Sequence, residues 1–258
     1  MFRFFKTIRQ KLVPFKGVQK YSLYAIGEII LVMIGILLAL QVNNWNENRK
    51  SRQLEIGIYK EIKDDLSASL QDIENGIESH IDNLNQTVKL RDHLKSKELL
   101  NDSIVRYLIN TNDDDQFFPK TTGFEGLKSV GLKTLTNDTL RQEITNLYQL
   151  GFVRVVGMGR DKAPVRNFEF MTTFIDKYVR LSDEFRKVES DISEGDSLII
   201  FRREINNYDQ LLNDDLLVLK LQEAISIRRF KLENYHRTAG WTRELEIAID
   251  EELARLEN

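Results

Sequence analysis

The chain has 258 residues, with no cysteine, three prolines and 30% charged residues. The missing thiols exclude a disulfide framework, a thiolate metal site and a catalytic cysteine, while scarce proline and abundant charge point to long helices. Net charge is −3; setting aside the six basic residues ahead of residue 21 and Glu28 leaves −8 beyond residue 42, the wrong sign for nucleic acid.

Residues 1–13, MFRFFKTIRQKLV, place Phe5, Ile8 and Leu12 at helical spacing, with Lys6, Arg9 and Lys11 directed elsewhere and Pro14 ending the pattern. That predicts either a basic amphipathic helix on an anionic leaflet or a basic tail that only sets topology. Residues 23–42, LYAIGEIILVMIGILLALQV, carry one formal charge, Glu28. As a helix the run spans roughly 30 Å, a bilayer's hydrocarbon core, and it reads as a single transmembrane helix. Six basic residues precede it, whereas Arg49, Lys50 and Arg52 behind it are diluted by Glu47 and Glu55. The bias predicts a cytoplasmic N-terminus with the bulk outside, in the periplasm of a Gram-negative cell. A cleaved signal peptide is disfavoured, because the run exceeds an h-region of roughly 7 to 15 residues and Ala39-Leu40-Gln41 is not a small-x-small site. The expected organisation is a basic segment 1–22, a span 23–42 and an extracytoplasmic helical domain 43–258.

Within the span Glu28, Gly35 and Ala39 share a face, since seven and eleven residues at 100° return within about 20° of the start. They are the candidate helix–helix contact in the membrane, against a plain alternative of a near-interface acid beside ordinary membrane glycine. Beyond it Leu54, Ile58, Ile62, Leu66, Leu70, Ile73, Ile77, Ile81, Leu84 and Val88 recur at a mean spacing of about 3.8, which predicts a long amphipathic helix packed in a bundle in preference to a left-handed coiled coil. Gly57 and Gly76 are the places where it could bend. Asp113 to Asp115 lack the glycine and closing glutamate of a calcium loop and read as a solvated charge run, with Phe117-Phe118-Pro119 pinning the loop to the core. A short helix around 124–129 should end at Gly131, and Asn137 should cap a helix presenting Leu140, Ile144, Leu147 and Gly151. Gly157-Met158-Gly159 lacks the third glycine of a dinucleotide fingerprint and reads as a bend. Pro164 suits the first turn of a helix burying Phe168, Met171, Ile175 and Tyr178, and 189–196 reads as a polar loop. The run 214–256 predicts a second long helix, antiparallel to the first and broken near Gly240, with Trp241 in a core or groove. The fold expected is thus all-α: a transmembrane helix and an antiparallel bundle with long first and last helices.

Two blocks carry a family resemblance. YSLYAIGEIILVMIGILLALQVNNWNENRK at 21–50 and GFEGLKSVGLKTLTNDTLRQEITNLYQ at 123–149 resemble the recurrent blocks of an uncharacterised family of single-pass membrane proteins widespread in Bacteroidota, a domain of unknown function. The resemblance implies an inner-membrane anchor with a helical extracytoplasmic domain, and no activity.

His80, His93 and His236 form no short metal spacing, and no serine sits in a Gly-x-Ser-x-Gly elbow. We therefore expect no enzyme, no cofactor and no metal. The expected partners are the lipid bilayer and a membrane or envelope protein or a second copy. The leading expectation is an envelope interaction or scaffold module; the alternative is a ligand-sensing bundle acting through a partner's transmembrane helix. An inward polar cluster in a closed pocket favours sensing or catalysis, whereas an exposed apolar groove favours scaffolding.

Overall fold

The computed structural model describes residues 18–160, 168–189 and 197–258. The basic segment before residue 18, Pro164 and the 190–196 stretch lie outside the described residues. The chain forms two units, Met1–Leu54 and Glu55–Asn258. Helix α1, Val18–Ser96, contains both the apolar and the amphipathic stretches. In the first unit its apolar window has mean hydropathy 2.4 and no buried residue, so one helix among those described is long and apolar enough to cross a membrane.

The second unit is built on the remainder of α1 and on α8, Asp215–Glu257. Lys60 pairs with Glu257 at 2.8 Å, Lys63 with Asp250 at 2.6 Å, Glu74 with Arg243, and Arg91 with Gln222 at 3.0 Å. As one number climbs the other falls, so the two helices run antiparallel, as expected. Exposed pairs of this kind mark register more than they stabilise. The free energy lies beneath them, in two apolar clusters. One joins Ile58, Ile62, Leu66, Ile73 and Ile77 to Tyr235, Ala239, Leu245, Ile249 and Leu253. The other joins Leu90 and Leu94 to Leu217, Leu221 and Ala224.

Short helices cover these clusters. Over the first lie α3 (Thr122–Val130), α4 (Asp138–Asn146), a π-helical turn (Leu147–Phe152) and α5 (Val153–Arg160). Over the second lie α2 (Ser103–Asn110), α6 (Thr172–Tyr178) and α7 (Tyr208–Leu212). Gly131 ends α3 at φ +100°, a conformation that favours glycine, and its N–H donates to the Leu127 carbonyl. Asn137 caps α4 as its side chain accepts from the Leu140 N–H, and Asp214 caps α8 by accepting from Leu217.

Several expectations fail. Gly240 does not break α8, which runs through it without interruption, and α1 is likewise continuous through Gly57 and Gly76. Gly76 instead makes room for a ring, because a Cβ there would lie 2.9 Å from Tyr235. Gly157 and Met158 belong to α5 and form no bend. Ile81 is exposed, since the buried face of α1 passes through His80, Asn83 and Thr87 there, and Leu54 is exposed as well. Phe117 is buried but Phe118 faces solvent, so one ring pins the loop.

The largest departure is a β-hairpin in a molecule otherwise helical where described. Strands β1 (Val179–Glu189) and β2 (Ser197–Ile205) pair antiparallel, with Leu181 opposite Arg203 and Phe185 opposite Phe201. A bulge between Leu181 and Phe185 puts three residues of β1 against Arg202 alone. Glu189, read as the start of the loop, is the last residue of β1.

Candidate functional site

The residues singled out in the span, Glu28, Gly35 and Ala39, all lie on α1 and are exposed, and a Cβ on Gly35 would meet nothing within 4 Å. No described group of this chain packs there, and the helical spacing keeps the three on one face.

A second candidate is the polar layer separating the two apolar clusters. Arg228 is fully buried: its Nη2 donates to the carbonyls of Asp113 at 2.9 Å and Thr111 at 3.3 Å, and its Nη1 lies 3.3 Å from His80 Nδ1. The guanidinium sits 4.0 Å over the Phe168 ring, a cation–π contact. One turn on, Lys231 Nζ donates to both carboxylate oxygens of Asp114 at 2.6 Å, with 2% and 8% of the two side chains exposed. The "solvated" charge run is thus corrected at its centre: Asp114 is a buried counter-ion, and only its neighbours face water. Burial pushes the Asp114 carboxyl up and the Lys231 ammonium down, and each holds the other charged. His80 is held down to about 3 by burial and then by Arg228 and Lys231, so it is neutral. With Nδ1 accepting from Arg228, the ring proton belongs on Nε2, which has no hydrogen-bond partner. The adjoining cavity, lined by Lys231, Tyr235 and Phe117, holds about 10 Å³, room for one water. This layer can order the fold; it has no space for a substrate.

Two further carboxylates of α1 receive helix starts. Asp65 Oδ2 accepts from the Gly123 N–H at 2.7 Å, and Glu55 Oε1 accepts from the N–H and hydroxyl of Thr136 at 2.6 and 2.8 Å. A negative charge at a helix N-terminus is favourable. Gly123 is required, because a Cβ would lie 2.6 Å from the Ile62 nitrogen.

His93, near the end of α1, lies 2.5 Å from the Tyr208 hydroxyl and 3.3 Å from Glu98, while His236 is exposed. Among the described residues no three His, Asp or Glu side chains converge as metal ligands.

The third candidate is open to solvent. Cross-strand partners share a face of a hairpin, so Leu181, Phe185, Ile199, Phe201 and Arg203 lie on one side, and the Arg180–Glu204 pair on the other. Leu181 is 63% exposed and Phe185 56%. Together with Val105, Arg106 and Ile109 of α2, the hairpin bounds a groove of about 820 Å³. Its base is firm: the Tyr178 hydroxyl and Lys177 Nζ both donate to Asp214, and the Asn206 N–H donates to the Tyr178 carbonyl.

Residues 28–165, more than half of the chain, match a family of unknown function, DUF6090. The chain belongs to that family. No curated protein and no solved structure matches it. The DUF6090 segment includes Glu55, Asp65 and the helix starts they hold, as well as Asp114; Arg228, Lys231 and the whole hairpin lie beyond it. The sequence reading missed the hairpin because six of the eleven residues of β1 are charged and its apolar residues do not alternate without interruption. The signal that could have found it is Leu198-Ile199-Ile200-Phe201, a short apolar β-branched run ahead of charge. No local signal marks Asp114 as buried.

Proposed function

We propose that this chain is a membrane-anchored interaction module, held by the span 23–42 with its N-terminus in the cytoplasm and its second unit outside, and that it is not an enzyme. What carries this reading is the apolar face of the hairpin. Soluble surfaces rarely leave a contiguous patch of two phenylalanines and several aliphatic side chains uncovered, and such patches serve association. The topology rests on the basic excess ahead of the span and on its wholly exposed apolar window.

The sensing alternative needs an enclosed site, and the space beside the buried polar layer suits a single water. The Glu28, Gly35 and Ala39 stripe remains our proposed contact within the membrane, tested by Gly35→Leu, which should lower association between tagged copies or with a co-purified membrane partner.

The direct test of the module is a photo-crosslinking residue at Phe201 in native membranes, with one at exposed Glu244 as control. A discrete adduct at Phe201 and none at Glu244 is the expected result. Equal labelling at both, or none at Phe201, overturns the reading.

A further inference from the structure

Resting on that reading, we infer that the groove between α2 and the hairpin takes an apolar segment of another protein that carries carboxylates, and that it discriminates against basic segments. The floor is apolar: Leu181, Phe185, Ile199 and Phe201 from the strands, Val105 and Ile109 from α2. The charges around it are unequal. Arg106, Arg202 and Arg203 line the groove with one acid, Glu184. Arg202 is already neutralised, by Glu184 at 3.1 Å and Asp102 at 3.3 Å. Arg106 lies against the Tyr107 ring, 5.5 Å from its centroid, and neither it nor Arg203 has a carboxylate partner among the described residues.

Two guanidiniums without carboxylates, beside exposed phenylalanines, match one chemistry. An apolar segment bearing Asp or Glu covers the rings and offers each guanidinium a planar, bidentate acceptor. A second copy of this chain fits less well. In a twofold contact the same patch faces itself, so a lining with three arginines and one glutamate meets another of the same sign. A basic segment meets the same repulsion.

The binding test uses the full chain in nanodiscs, empty nanodiscs as control, and two labelled short peptides with the same leucine and phenylalanine pattern. One carries glutamate at its polar positions, the other lysine. Fluorescence anisotropy should show the glutamate peptide binding at least tenfold more tightly, with the preference lost or reversed in Arg106→Glu/Arg203→Glu. Those arginines are exposed, so the variant folds, which the thermal midpoint checks. Equal binding of the two peptides, tighter binding of the lysine peptide, or binding of neither overturns the inference. So does a concentration-dependent dimer abolished by Phe185→Ser, which assigns the face to a second copy. The two readings fail separately: a Phe201 adduct in membranes without a charge preference removes only this inference, and a charge preference without an adduct removes only the interaction module.

Discussion

His80 shows how one buried side chain ties stability to pH. Its pKa in the folded chain is about 3 against an ordinary 6.5, so the unfolded chain takes up a proton that the folded one refuses. The contribution is complete above pH 6.5 and drains away as pH falls toward 3. Between pH 7 and 5 the loss should be about 2 kcal/mol, read as a fall in urea midpoint for the chain in mild detergent, and His80→Gln should show a smaller fall. Asp65 and Asp114, whose carboxyls are pushed up, act with the opposite sign and cancel in the comparison. Lys231 carries a different lesson. Replacing it by methionine strands the Asp114 charge in the interior and should cost about 3 to 5 kcal/mol, whereas the double variant Lys231→Met/Asp114→Leu should recover most of that loss. Equal stability of single and double variants would show that the pair does not act as one.

Among elements, contact is set by what each backbone can approach. Gly123→Ala drives a Cβ into the α1 backbone at Ile62, where neither side can yield cheaply, and should lower stability by about 2 kcal/mol or more. Gly57→Ala meets nothing within 4 Å and should be neutral or slightly stabilising through helix propensity. Thermal midpoints of the two variants in one detergent separate packing from helix propensity. The hairpin is an element of the other kind. Its rings are exposed, so Phe185→Ser should change the unfolding free energy by no more than about 1 kcal/mol while removing the cross-link at Phe201, and Phe201→Ser should spare stability equally while removing the peptide binding. A large destabilisation would mean that these rings serve the fold.

For the whole molecule, α1 and α8 were legible in the sequence because apolar residues recurring every three or four positions over about 40 residues leave one arrangement of the apolar face. The caps at Asn137 and Gly131 were legible for a similar reason, since each acts within four residues of its own position. The hairpin was not, because β1 is rich in charge and its apolar face stays in solvent, so burial never disciplined the pattern. Nor was the buried Asp114–Lys231 pair, whose partners stand 117 residues apart.

By itself, then, the sequence determined an apolar run of bilayer length, the helical class and the two long helices, all consequences of hydropathy and period along one stretch of chain. Only the tertiary structure decided that Asp114 is a buried counter-ion, that Asp65 and Glu55 hold the starts of other helices, and that an apolar hairpin face with two arginines is left uncovered. Those properties depend on which distant segments meet, and burial, pairing and exposure are fixed by that meeting.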